Sequence, residues 1–259
     1  MKKSTGFTLI EMIMVITITG VIAGMVAVFI RAPVEGYVDS VRRAELTDQA
    51  DVALRRITRD VRLALPNSLR TVANGFEFVS TKSGGRYRDD TDGSNCATGN
   101  CLDFLGDSSF DVLGSPPEMV ANDHIVIYNL GVPGADAYAG DSRAQIQTPG
   151  STITLTASKT FPFRSPSNRF QIVDRNELVV RYTCTGGELR RFSGCTLANP
   201  SVCGAGVLLA GGHTTTAACT IDYASAATGR NGLLYISLTL THSGESVTLF
   251  NQVHVDNAP

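Results

Sequence analysis

The first long stretch of the chain is almost entirely apolar. Residues 7–30 contain no Lys, Arg, Asp, Asn or Gln, and their one charged residue is Glu11. A helix of these 24 residues would be about 36 Å long, which is enough to cross a hydrocarbon core of roughly 30 Å. The pattern therefore predicts a membrane-spanning helix over residues 7–30. Glu11 is unexpected there, because a carboxylate at the centre of such a helix costs on the order of 3 kcal/mol.

The pattern changes after this run, where hydrophobic residues recur every three or four positions. The residues that repeat in this way are Val34, Val38, Val41, Ala50, Leu54, Ile57, Val61 and Leu65. This spacing predicts an amphipathic helix over residues 31–65, continuous with the apolar run. Asp39 with Arg43 and Asp51 with Arg55 are expected to pair along it at i,i+4. Pro66 is expected to end it.

Beyond the helix the hydrophobic period falls to two, which is typical of half-buried strands. Short strands are predicted at residues 76–80, 124–129, 152–156, 170–173 and 177–184. A turn at Gly186–Gly187 should lead from the last of these into a partner strand. By contrast, Lys82–Asn100 is expected to be a long surface loop.

The clearest hairpin is at the end of the chain, where LLYISLTLT and SVTLFNQVHV flank the turn HSGE. Alternation places Leu234, Ile236, Leu238 and Leu240 on one face of its first strand. These elements predict an α+β fold, in which a long N-terminal helix precedes an antiparallel β-rich globular head at residues 66–259.

Charge and flanking residues indicate the compartment. Lys2 and Lys3 precede the apolar run, so the N-terminus is expected in the cytoplasm and everything after Arg31 outside the inner membrane. A secretory signal peptide fits less well, because its apolar core has only about 7–15 residues. A plain signal anchor is an alternative, but it leaves Glu11 unexplained. The net charge of −2 offers no electrostatic basis for a nucleic-acid partner.

All six cysteines follow the apolar run: Cys96, Cys101, Cys184, Cys195, Cys203 and Cys219. An even number of cysteines in an exported segment predicts disulfides, although six allow 15 connectivities. Neighbouring pairs, Cys96–Cys101 and Cys184–Cys195, are expected because each brackets a short loop containing Gly. Zinc is not expected, because the first pair has no second pair at matching spacing and no nearby His.

Other candidate chemistry is weak. GDSS at residues 106–109 and GDSR at residues 140–143 resemble hydrolase motifs, but no Asp stands three residues before any of the four histidines. No enzyme activity and no cofactor are therefore predicted. A solvated acidic turn is the favoured interpretation of Asp89, Asp90 and Asp92, with a calcium site as the weaker alternative.

The stretch KKSTGFTLIE offers an explanation for Glu11. A basic leader ending in Gly6, then Phe7, then a carboxylate five positions after the glycine resembles the signal of type IV prepilins. The resemblance implies that prepilin peptidase removes residues 1–6 and N-methylates Phe7. It also implies that Glu11 neutralises the terminal amine of an adjacent subunit during assembly, with other minor and major pilins as partners.

ALRRITRDVRLALPNS at residues 53–68 resembles the stalk of J-like minor pilins and pseudopilins, particularly those of the mannose-sensitive haemagglutinin (MSHA) pilus. The resemblance implies an inner-membrane subunit that enters a filament. Two alternatives are a J-type pseudopilin of a type II secretion system and a membrane-anchored periplasmic binding or adhesion domain, with its ligand held by loops at residues 81–150. The arginines of this stretch, Arg55, Arg56, Arg59 and Arg62, fit a solvated face or a subunit contact equally.

Overall fold

The computed structural model describes residues 6–89, 96–197, 200, 203–225 and 231–259. Its first element is a single α-helix, α1 (Leu9–Val61), of 53 residues. Thr8 caps the start of α1, and Pro33 lies inside the helix without ending it. The one continuous helix expected from the sequence is therefore present.

The helix ends earlier than predicted, because the following residues find partners in a sheet. The amide of Leu65 donates to the carbonyl of Val79 at 2.8 Å, and Ala64 forms a bridge with Ser80. Leu65 is fully buried, as its place in the apolar pattern suggested, but it is buried as part of the sheet junction.

The described part of the head contains fourteen strands: β1 (Arg70–Val72), β2 (Gly75–Val79), β3 (Thr81–Tyr87), β4 (Asp107–Leu113), β5 (His124–Val126), β6 (Arg143–Thr148), β7 (Thr152–Lys159), β8 (Arg169–Val173), β9 (Val179–Thr185), β10 (Glu188–Cys195), β11 (Val207–Gly211), β12 (Thr215–Ser225), β13 (Asn231–His242) and β14 (Glu245–Asp256). They form a five-stranded sheet in the order β1-β2-β9-β10-β11, a three-stranded sheet in the order β12-β13-β14, and a closed barrel in the order β3-β4-β7-β6-β5-β8. Neighbouring strands are antiparallel throughout the described ladders. The predicted α+β fold with an antiparallel head is confirmed.

Most of the predicted strands are present. β2, β7, β8 and β9 overlap their predicted segments, and β5 is shorter than expected. The final hairpin is β13 and β14, joined by Ser243 and Gly244 with φ angles of 49° and 87°. Two positive φ angles are typical of a type I′ hairpin turn. The four predicted face residues of β13 are all buried.

The prediction of a surface loop at Lys82–Asn100 is wrong for its first part, which is β3. β3 pairs with β8 on one side and with β4 on the other. Its glycines allow close approach to β8: a Cβ on Gly84 would lie 2.9 Å from the Phe170 carbonyl oxygen, and one on Gly85 2.6 Å from the Phe170 ring. These glycines suggested a loop in the sequence, but in the structure they leave room for β8 to pack closely against β3.

Three hydrophobic clusters hold the described head together. The first joins the last four turns of α1 to the two open sheets, with Leu46, Leu54 and Ile57 from the helix. The second fills the barrel, and the third lies where the barrel meets the sheets. The whole barrel is inserted between β2 and β9, which are neighbours in the five-stranded sheet. The barrel therefore begins just beyond the C-terminal end of α1, where Ala64 bridges to Ser80.

Candidate functional site

The bond between Gly6 and Phe7 lies in an exposed, non-helical stretch immediately before α1. Gly6 is exposed, and Phe7 is 81% exposed. A Cβ placed on Gly6 would meet no other atom within 4 Å, so nothing in the described fold itself requires a glycine there. The Gly6–Phe7 bond is therefore exposed and lies outside the helix. Lys2 and Lys3 lie outside the described residues.

Thr8 and Glu11 form a capping box at the start of α1. The Thr8 hydroxyl accepts from the Glu11 amide at 3.4 Å, and the Glu11 carboxylate accepts from the Thr8 amide at 3.5 Å. Reciprocal bonds of this kind satisfy two amides that the first helical turn leaves unpaired. Sequence reasoning missed this arrangement, although the spacing T-x-x-E is its local signature.

The structure thus places Glu11 at its own helix terminus, with its carboxylate bonded to the amide of Thr8, the residue that follows Phe7. The helix dipole favours a negative charge at this end of α1. If the chain is cut after Gly6, the new ammonium on Phe7 appears beside the carboxylate. Glu11 is also exposed, so the same carboxylate is accessible to a neighbouring chain.

Within the described part of the chain, nothing packs against the first half of the helix that follows. By length and composition, α1 is long and apolar enough to cross a membrane, and its most apolar stretch is fully exposed. Val34, Val38 and Val41 continue this exposed apolar surface beyond residue 30, and burial against the head begins at Leu46. The predicted amphipathic face is therefore covered by the head only along its second part.

Of the two ion pairs predicted along the stalk, one is present. Arg55 pairs with Asp51 at 2.7 Å. The expected pair of Asp39 with Arg43 is wrong, because Asp39 pairs with Arg42 and Arg43 reaches the head at Glu245. A contact with a strand distant in sequence determines the partner of Arg43.

One acidic residue of α1 is buried in a polar network with the head. Asp60 is 7% exposed and accepts from the Tyr182 hydroxyl at 2.8 Å and from Arg191 Nε at 2.6 Å. Burial and the adjacent Asp60 charge raise the pKa of Tyr182. Burial alone would lower the pKa of Arg191, but its hydrogen bond and charge interaction with Asp60 outweigh that effect and raise it. The network orients the end of α1 on the head.

The arginines near this network differ in exposure. Arg56 lies 3.3 Å from Asp60, whereas the side chains of Arg55 and Arg59 are 78% and 66% exposed. These exposed guanidinium groups are accessible both to solvent and to another subunit.

The cysteines form three disulfides. Cys96 pairs with Cys101, as expected from the sequence, but the expected Cys184–Cys195 pair is wrong. The bonds are instead Cys184–Cys219 and Cys195–Cys203. In the register of β9 with β10, Cys184 lies opposite Leu189 and Cys195 opposite Val179, so these two cysteines are at opposite ends of the hairpin.

The candidate metal and hydrolase motifs take structural roles where they are described. Asp89 is buried against Arg164, while Asp90 and Asp92 lie outside the described residues. The described His, Cys, Asp and Glu residues contain no group that could hold a metal ion. In the GDSS segment, the Asp107 carboxylate accepts from the amides of the two following serines, at the register shift where β4 begins.

Comparisons with known proteins identify only the N-terminal segment. A family model described as the prokaryotic N-terminal methylation motif matches residues 1–27. No curated protein and no solved structure matches the chain. The matched region contains Gly6, Phe7 and Glu11, and it supports a type IV pilin-like protein that is processed as a prepilin.

Proposed function

We propose that this chain is a minor pilin of a type IV pilus, most like the MshO subunit of the MSHA pilus, with a pseudopilin of a type II secretion system as the alternative. The observation that carries the proposal is the order of features at the N-terminus. An exposed Gly6–Phe7 bond is followed by a capped helix start that includes Glu11, and then by an apolar helix that no other described residue covers. Both kinds of filament use such a segment.

In this proposal, prepilin peptidase cuts after Gly6 and N-methylates Phe7. The exposed, non-helical backbone at the cleavage site supports this step, because a peptidase must bind its substrate in an extended form. The basic leader of residues 1–6 would stay in the cytoplasm by the positive-inside rule. The rest of the chain after residue 30 would then lie in the periplasm, where three disulfides can form.

Glu11 would act in assembly. In the membrane its charge is costly, and the capping box lowers that cost because the carboxylate accepts an amide hydrogen bond. In a filament it would pair with the ammonium of a neighbouring Phe7 inside a dry bundle of helices. Such a pair specifies axial register more than it adds stability, because desolvation offsets much of the Coulomb attraction.

The head and stalk would determine which subunits join. The exposed apolar stripe at Val34, Val38 and Val41 supports helix packing against other pilins just outside the membrane. No catalytic role is proposed for any residue. The third hypothesis, a membrane-anchored domain with a ligand held by loops at residues 81–150, stays an alternative, since strands β3 to β6 account for only 23 of those 70 residues.

Intact-mass analysis of the mature chain tests the proposal. Co-expression with prepilin peptidase should shorten the chain by the six residues of the leader and leave N-methylated Phe7. Gly6→Val should block cleavage, because a branched side chain does not fit a peptidase site shaped for glycine. Lys2→Ala is a matched control in the leader and should still be cut.

A mature protein that begins at Met1, or that is cut near Ile30, would contradict the proposal. The first result would indicate a signal anchor and the second a secretory signal peptide. Copurification of the mature chain with other minor pilins or with secretion components would then separate the pilus from the secretion system.

A further inference from the structure

β14 is a long outer strand with a free edge. It is the last strand of the order β12-β13-β14, and no described strand pairs with its other side. Its register with β13 runs without interruption from His242↔Glu245 to Asn231↔Asp256. At about 3.4 Å per residue the edge is about 40 Å long.

The geometry of the hairpin shows which backbone groups face outward. Because the turn has only two residues, His242 and Glu245 form its hydrogen-bonded closing pair. Hydrogen-bonded and non-hydrogen-bonded pairs alternate along an antiparallel ladder. The residues whose amides and carbonyls point away from β13 are therefore Ser246, Thr248, Phe250, Gln252 and His254.

The other edges of the described head are short or covered. The barrel is closed, β1 has three residues, and β11 has five and a register shift against β10. β12 is partly covered on its outer side, where Ala217 donates to the Gly187 carbonyl and a disulfide joins Cys219 to Cys184. The edge of β14 differs from all of these.

β14 also lacks the features by which proteins usually block an edge. It contains no Lys, Arg or Pro, its ladder has no bulge, and its carboxylates are confined to its two ends. Arg43 neutralises one of them, Glu245, at 2.9 Å. Phe250 on its outer face is 70% exposed and stacks on Tyr235. A long, uncharged edge of this kind pairs readily with another strand.

We propose that the free edge of β14 binds an extended, uncharged strand from a different pilin-like subunit, which becomes the fourth strand of the sheet. Strand addition supplies affinity through backbone hydrogen bonds and specificity through alternate side chains. The partner strand would carry apolar or β-branched residues beside Phe250. This inference names the partner surface of the proposed function and rests on it for the orientation of the subunits.

A second copy of this chain fits the edge poorly. β14 runs in the same direction as α1, since Arg43 contacts Glu245 and Thr58, further along the helix, accepts from Asn251. Antiparallel pairing of two β14 edges would point the two α1 helices in opposite directions, which two helices inserted in one membrane with the same orientation cannot adopt. Parallel pairing of the same edges would put the helices on opposite faces of the joined sheet. A different chain avoids both problems.

Hydrogen exchange of the full-length protein tests the proposal. In the detergent-solubilised chain alone, the outward amides of β14 should exchange rapidly. In filaments or membrane complexes isolated with the other pilin subunits, the same amides should exchange at least about tenfold more slowly. Unchanged exchange in the assemblies would overturn the proposal. Protection that appears in the purified chain alone as its concentration rises would assign the edge to a second copy and would also overturn it.

A pair of variants at one position isolates the backbone donor. Gln252→Pro removes an outward amide without removing a bond to β13, and edge strands tolerate Pro at such positions. Gln252→Ala keeps the amide. Both variants should fold with all disulfides formed, and only the Pro variant should lose partner binding, by about tenfold or more. Equal binding by the two variants would contradict strand addition.

Failure of the inference is distinguishable from failure of the proposed function. A chain that matures at Phe7 and enters filaments while its β14 amides stay unprotected contradicts the inference alone. A chain that never matures at Phe7 contradicts the proposed function, whatever its β14 amides do.

Discussion

Glu11 bonds to its own helix start, and the proposed function gives it a second partner, the Phe7 ammonium of a neighbouring subunit. Its bond to the Thr8 amide at 3.5 Å is long for a hydrogen bond, and the carboxylate is exposed. Exchange of this weak local bond for an ion pair with an ammonium would favour the assembled state. Under the proposed function, the capping box thus holds the carboxylate at the start of α1 before assembly.

Glu11→Ala should leave membrane insertion and cleavage after Gly6 intact and should sharply reduce incorporation into filaments. The physical reason is that the ammonium of a neighbouring Phe7 would then be buried without a counter-charge, which costs several kcal/mol. The measurement is cross-linking to partner pilins in membranes, together with filament counts.

Thr8→Val is the matched control for this prediction. It removes the other half of the capping box, worth about 1 kcal/mol, but keeps the carboxylate. If Thr8→Val impairs assembly as strongly as Glu11→Ala, Glu11 acts through the cap and not through a subunit contact.

A second prediction concerns the charge of Asp60, which is buried where α1 meets the head. Asp60→Asn should destabilise the folded chain by about 3 kcal/mol, because it leaves the buried Arg191 with only the more distant, half-exposed Glu177 as counter-charge. Asp51→Asn removes an exposed pair with Arg55 and should cost less than about 1 kcal/mol. Urea unfolding followed by circular dichroism measures the free energy of unfolding of the two variants. Equal losses would contradict a stabilising role of the buried network.

At the scale of elements, the disulfides differ in what they join. Cys184–Cys219 links β9 to β12, and thus the two open sheets, across a separation of 35 residues. Cys96–Cys101 closes a separation of only 5 residues beside β4. In the chain-entropy model, a longer closed loop restricts the unfolded chain more strongly.

Replacing both members of each pair by Ala should therefore give unequal losses. We expect the free energy of unfolding to fall by about 4 kcal/mol without the Cys184–Cys219 bond and by about 2 kcal/mol without the Cys96–Cys101 bond. Urea unfolding under non-reducing conditions measures the two differences. A larger loss at the short loop would show that native packing, and not chain entropy, dominates there.

At the scale of the whole molecule, the barrel is an insertion with its own hydrophobic interior. Its strands β3 to β8 are preceded in the chain by β2 and followed by β9, and β2 and β9 are neighbours in the five-stranded sheet. At this junction the Ser80 amide donates to the Leu178 carbonyl at 3.2 Å. The residues just before Leu178 already form a turn, since Glu177 donates to the Asp174 carbonyl. The two sheets and α1 could thus close without the barrel.

Deletion of residues 81–173, which joins Ser80 to Asp174, should leave a protein that folds cooperatively and keeps both disulfides of the two sheets. Its melting temperature should fall, because Val79 and Val179 lose contacts with the barrel at their shared cluster. Calorimetry and thiol titration provide the measurements. Free thiols and the absence of a cooperative transition would show that the barrel is required for the sheets to fold.

Sequence by itself determined the features that depend on neighbouring residues. The apolar run, the three- and four-residue period of the stalk and the alternation of β13 each reflect local geometry, so the helix and the final hairpin could be predicted. The capping box of Thr8 and Glu11 is equally local, and its T-x-x-E spacing was available although it was missed.

Only the tertiary structure decided the features that depend on register between distant segments. Three examples are the disulfide of Cys184 with Cys219, the formation of strand β3 where a loop was expected, and the ion pair of Arg43 with Glu245. Each depends on which strand lies beside which. The free edge of β14 is of the same kind, because an edge exists only by its place in a sheet. Local periodicity constrains which face of a segment is buried, but strand order and register are set by contacts between residues far apart along the chain.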